Sequence, residues 1–213
     1  MPSRHASCSS AARSAASTSN TIYGAATGTL MLDALRDAAA RGVRVRLQLD
    51  DNNTAGRDPA LAALDREPNV EVPLFNPFAM RRWHGLGYLT DFSRLNRRMH
   101  NESFTVDGQA TIVGGRNVGD EYFGVAGDML FVDLDVLAVG PVVRAVSQDF
   151  DRYWNSASAY PVTTLVDAGD AERPDALPER AAALRGQPEA QRYLEAIRIS
   201  RFVGQPAQGP RAL

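Results

Sequence analysis

Apolar positions first recur at helical spacing at Met31, Leu35, Ala38 and Ala39, and Gly42 follows where a helix ends in a left-handed residue. Val43, Val45, Leu47 and Leu49 then alternate with Arg44, Arg46 and Gln48, which predicts a strand covered on one face. Asp50-Asp51-Asn52-Asn53 closes that strand and carries two readings. The carboxyl ends of strands line the binding crevice of α/β folds, and Asp and Asn side chains also satisfy the backbone of a turn. Asp58 as cap and Pro59 as first helical residue predict a short helix over 59–66, and Val70, Val72 and Leu74 the next strand. Strand, helix, strand is a right-handed crossover and makes the two strands parallel. From Phe75 to Leu95 periodicity is lost.

It returns as an extended run from His100 to Val106, the turn dipeptide Asp107-Gly108, and a run back from Gln109 to Val113. Leu130 to Ala138 predicts a strand in which Asp133 and Asp135 share a face with Phe131 and Leu137. Gly140-Pro141 opens an amphipathic helix with Val142, Val146, Phe150, Tyr153 and Trp154 near one stripe. Beyond Tyr160, Ala, Arg, Pro and Glu dominate, with helices predicted over 178–185 and 188–201 and a loose Gly/Pro/Gln tail. The order of elements predicts an α/β fold, a mixed β-sheet flanked by helices. Three segments follow: a disordered or poorly packed stretch over 1–26, a folded unit over 27–160, and a helical extension with a loose tail over 161–213.

The first segment changes the picture because it is Ser- and Ala-rich with almost no large apolar residue, so it buries too little to offset its ordering. Neither a signal peptide's apolar core nor a membrane-spanning run is present in the 213 residues. A net charge of -2 advertises no nucleic-acid partner, the single cysteine Cys8 excludes an internal disulfide framework, and three scattered histidines offer no metal cluster. Every one of the 23 basic residues is arginine. In the aperiodic stretch, Phe75, Phe78, Met80, Trp83, Leu86 and Tyr88 interleave with Arg81 and Arg82, as a membrane-surface contact or a loop packed over a core would have them. His84, in the same stretch, reads as structural.

The chemistry concentrates in 97–124. His100 and Glu102 project from one face of a strand, Gly114-Gly115 lets the backbone pass close to a ligand, and the Asn117 amide both donates and accepts. His100, position 102, Asp107, Gly114-Gly115 and Asn117 stand at the spacing of the active-site motif of the phospholipase D superfamily, which the chain resembles. YLTDFSRLNRRMHN, GGRNVGDEYFG, DLDVLAVGPVV and FDRYWNSASAYPV resemble its bacterial cardiolipin synthase branch, nearly continuously from Gly28 to Val162. One position departs: Glu102 stands where the family has lysine.

The resemblance implies one repeat of a phospholipase D-like fold. It also implies a site built from two motifs, supplied by two halves of a chain or by a dimer, with a phosphohistidine intermediate and no metal or other cofactor. His100 would be the nucleophile or its acid/base partner, Asp133 the acid that orients a motif histidine, and Asn117 with Gly115 the holders of the phosphate. Asp107 and Gly114 would be architectural. The implied substrate is a phosphatidylglycerol-like phospholipid, and the implied place is the cytoplasm or the inner membrane's cytosolic face. Exchanging lysine for Glu102 removes an attraction and adds a repulsion, each about 4 kcal/mol at about 4 Å and an effective dielectric of about 20. Half of that sum is about a thousandfold in rate. Rescue falls to Arg98 or Arg116, whose planar fork differs from an ammonium. Two other classes stand beside phosphatidyl transfer: a homodimeric phosphodiesterase or nuclease, and a non-catalytic or truncated lipid-binding module.

Overall fold

The computed structural model describes residues 15–20, 25–78, 92–120 and 133–188, with positions 190, 191, 195 and 199. Among these, one mixed sheet carries helices on both faces. Its strands are β1 (Ala15–Asn20), β2 (Arg44–Asp50), β3 (Val70–Glu71), β4 (Pro73–Phe75), β5 (Glu102–Val106), β6 (Ala110–Gly114), β7 (Asp135–Val139) and β8 (Ala159–Pro161). They lie in the order β7-β6-β5-β1-β2-β4-β8, with β3 also paired to β2. Strands β1, β2, β3 and β4 are parallel, as the crossover rule requires, while β5, β6, β7 and β8 join antiparallel.

The middle of the sheet corrects the sequence reading. The segment expected to lack packed structure supplies β1 at Ala15–Asn20, hydrogen-bonded to β2 on one edge and β5 on the other, with Thr18 opposite both Leu47 and Phe104. A strand flanked on both edges satisfies its peptide groups without large side chains, and AASTSN has no apolar alternation to betray it.

Helix α1 (Ala25–Ala40) packs Leu32, Leu35 and Ala39 on Val45, Leu47 and Leu49 of β2, joined by Leu61 and Leu64 of α2 (Asp58–Leu64). Asp58 lies in the first turn of α2 rather than capping it, and Arg57 precedes it. After a short turn of helix, α3 (Phe92–Leu95), the second face is covered by α4 (Pro141–Trp154). That cover is why β2 is buried on both faces from Leu47 to Asp50, instead of being half-covered as expected. Its polar residues find partners on α4. Arg46 pairs with Asp151 at 2.7 Å and lies over the Phe150 and Trp154 rings, and Gln48 Nε2 donates to the Tyr153 carbonyl at 3.1 Å. The buried residues of α4 are Val143 and Phe150, while Val142, placed on the apolar stripe by its spacing, is exposed.

The boundary expected near 160 is not a structural break. Val162 and Leu177, the latter on α5 (Ala176–Arg185), belong to the same core, and Arg185 reaches Asp33 of α1 at 2.6 Å. Among the described residues no helix is long and apolar enough to cross a membrane. Cys8, His84, Phe131, the 202–213 tail and the Met80–Tyr88 anchors fall outside the described residues; Phe78 of the same stretch is buried.

Candidate active site

The ends of β2 and β6 and the starts of β5 and β7 lie at one end of the sheet, because β5 runs against the parallel pair of β1 and β2, and β7 against β6. Asp50, at the end of β2, ties the segment entering β5 in place. Its carboxylate accepts from the backbone N–H of Asn52 at 2.8 Å and of Met99 at 2.9 Å, and pairs with Arg98 at 3.2 Å. Asp51 accepts from Phe78 N–H at 2.8 Å and from the Thr54 hydroxyl, and Asn76 donates to the Arg97 carbonyl at 2.9 Å. The acidic loop satisfies backbone groups, as one of its two readings has it, but the N–H groups of Met99 and Phe78 that it binds belong to distant segments of the chain. In doing so it aims the next residue, His100.

The His100 ring is exposed, and its Nδ1 lies 3.1 Å from the Arg98 carbonyl oxygen. A carbonyl only accepts, so that contact selects the tautomer with the proton on Nδ1 and leaves Nε2 with its lone pair outward. Two residues on, Glu102 is buried at 9% exposure. Burial pushes its carboxyl above the usual glutamate value, against a hydrogen bond from its own backbone N–H and the attraction of His100, while Asp133 and Asp50 push it further up. His100, Glu102, Asp133 and Asp50 thus share one electrostatic neighbourhood.

Gly114 and Gly115 are there because of what stands opposite. A Cβ on Gly115 would come within 2.7 Å of an Asp133 carboxylate oxygen, and one on Gly114 within 2.7 Å of the Leu134 carbonyl and closer still to the Asp135 carboxylate. The Asp133 carboxylate accepts from Leu134 N–H at 2.7 Å, and Asp133 precedes β7 rather than lying within it. The His100 ring is held at Nδ1 by the Arg98 carbonyl of its own segment. Asn117 is half-buried beyond Gly115. Asp107 sits at the far end of the hairpin in a turn with φ of 54°, about 17 Å along the strand from Glu102. It shapes the turn, and the connection from Val106 to Ala110 holds three residues rather than two.

Neither candidate rescuer points a spare guanidinium at Glu102. Arg98 is bound to Asp50 and lies over the Phe78 ring, and Arg116 reaches Asp135 at 2.5 Å and the Asp133 carbonyl at 3.1 Å. The partners of three acids escaped the sequence reading. Asp50 and Asp135 are ordinary strand-end acids until the fold brings Arg98 and Arg116 to them. Asp120 accepts from Ala26 and Thr27 N–H, at 3.3 and 2.8 Å, and so holds the start of α1 beside the motif. Among the described residues no group of three or more His, Cys, Asp or Glu is arranged to hold a metal ion.

The family described as cardiolipin synthase, PLD-like domain, matches residues 9–154, from ahead of β1 to the end of α4. The chain belongs to that family. It is 52% identical over 182 residues to cardiolipin synthase C of Escherichia coli K12, covering 85% of this chain and 38% of that protein. An uncharacterized protein of Helicobacter pylori strain 26695 is 43% identical over 134 residues, and the major cardiolipin synthase of Bacillus subtilis 31% identical over 140. The chain thus spans 38%, 26% and 27% of the length of these relatives. The mixed α/β sheet flanked by helices is the fold expected of a domain of this family, and the family match includes β1.

Proposed function

We propose that the chain is one motif-bearing half of a phosphatidyl-transfer site. It acts on a phosphatidylglycerol-like phosphodiester at the cytosolic face of the inner membrane, and is slowed at neutral pH by Glu102. The observation that carries this reading is the exposed His100 ring, held through Nδ1 so that Nε2 keeps its lone pair outward, within a region that matches the family throughout.

In this reading Nε2 attacks phosphorus, the bond from phosphorus to the leaving alcohol's oxygen breaks, and that oxygen takes a proton from an acid on a second half. The acceptor alcohol then attacks the phosphohistidine, loses its proton to the same group, and the phosphorus–nitrogen bond breaks. Water in the acceptor's place gives hydrolysis. The second half covers the face where Ile112, Leu134, Leu137 and Val139 are exposed beside the motif.

The test is transfer and release of label from phosphatidylglycerol in mixed micelles, on this chain and on Glu102→Lys, each with its mass in solution measured. The expected result is turnover by the lysine form as a dimer, at least about a hundredfold above the parent. Inert protein in both cases, in dimers as well as monomers, sinks the proposal.

A further inference from the structure

Residue 102 faces a phosphodiester in the proposed site, yet as a carboxylate it offers that anion only repulsion. The other acids around it are already committed. Asp50 accepts from two backbone N–H groups and pairs with Arg98. Asp135 is paired with Arg116, and the Asp133 carboxylate accepts from Leu134 N–H. From α4, Asp149 lines with Glu102, Asn101 and Ser103 a cleft of about 310 Å³, and it faces Arg152 at 3.5 Å. His100 is the cationic candidate on Glu102's own segment. Among the described residues Glu102 itself has no ion pair, and it is more deeply buried than His100.

We propose that Glu102 holds the phosphodiester as a neutral carboxylic acid, its O–H donating to a non-bridging oxygen, so that one proton binds together with the substrate. The inference rests on the reading of the motif as a phosphodiester site. Protonation turns an acceptor-only group into a donor, and an O–H to an anionic oxygen is among the shorter and stronger hydrogen bonds. Asp133 and Asp50 favour the proton's arrival, and the incoming anion adds to their effect. No bond to phosphorus changes. One proton passes from solvent to a Glu102 oxygen as the ligand enters, and returns to solvent when it leaves.

The probe is glycerophosphoglycerol, a soluble phosphodiester that keeps a single negative charge throughout. Affinity and proton uptake are read by calorimetry in buffers of different ionisation enthalpy. As pH rises above the ordinary glutamate value of 4.5 the parent chain is expected to lose up to about tenfold in affinity per pH unit, with up to about one proton taken up per ligand. To separate Glu102 from the neighbouring imidazole, the comparison is repeated in His100→Asn. There the slope is expected to persist, and in His100→Asn with Glu102→Gln it is expected to vanish while binding remains. Glu102→Lys is expected to bind without proton uptake.

A slope that survives in His100→Asn with Glu102→Gln, or a flat profile in the parent, overturns the assignment. Binding by Glu102→Lys alone, with none by the parent at any pH, overturns this inference and leaves the phosphodiester site standing. Absence of binding in both removes the two together.

Discussion

Burial makes Glu102 sensitive to pH even with no ligand present. The folded chain holds this proton more tightly than the unfolded chain does. The stability contributed by the group is therefore fully present below the ordinary value of 4.5 and is lost as pH rises through the raised folded value. Glu102→Gln is expected to match the parent at the acid end and exceed it in stability toward neutral pH, as read from urea midpoints; a gap that fails to widen with pH counts against it. Asp65, also raised by burial, keeps a residual slope in both proteins. A second expectation at this scale concerns Gly114, where a methyl would meet the Asp135 carboxylate and the Leu134 carbonyl. Gly114→Ala is expected to cost about 1–3 kcal/mol in the same assay. His100, Glu102 and the glycine pair were legible because a strand's period and a motif's spacing are local properties. The Asp50 clamp was not, since its partners at Arg98 and Met99 lie almost fifty positions away and only the β2–β1–β5 neighbourhood brings them together.

At the scale of elements, what was readable is what large side chains mark. The α1 face and the β2 alternation each carry Leu or Val at regular spacing, and both elements are where the pattern put them. Strand β1 carries none, and its place is set by peptide hydrogen bonds to two neighbours, which composition does not report. Proline in that position removes a ladder bond at the centre of the sheet. Thr18→Pro is therefore expected to cost on the order of 3 kcal/mol, and an unchanged melting curve would mean that the segment is not in the sheet. The docking of α5 is likewise carried by a pairing invisible in sequence. Asp33, buried in α1, binds Arg36 at 3.2 Å and Arg185 at 2.6 Å. Asp33→Ala leaves both arginines in contact with water, so its expected cost is about 2 kcal/mol, at the lower end for a charged hydrogen-bonded group, measured by thermal or urea unfolding.

For the whole molecule the question is whether one motif suffices. The proposed chemistry needs a nucleophile and, on the leaving alcohol, an acid. The described site offers one histidine, with its Nδ1 engaged by a backbone carbonyl and Nε2 able to play one role at a time. If the acid is His100 of a second copy, activity belongs to the pair. Random mixing then makes a sharp prediction for the lysine-restored protein. When Glu102→Lys chains are equilibrated with an equal amount of chains carrying Glu102→Lys and His100→Asn, a quarter of the dimers keep both histidines. Because twice as many dimers are then present, total activity should fall to about half that of the unmixed active chain. A site complete within one chain predicts no change on mixing. A fall to about half ties the exposed face around Leu137 and Val139 to function, and substituting Leu137 by arginine should then abolish both the dimer mass and turnover while leaving the fold intact, since that side chain is 69% exposed in the single chain.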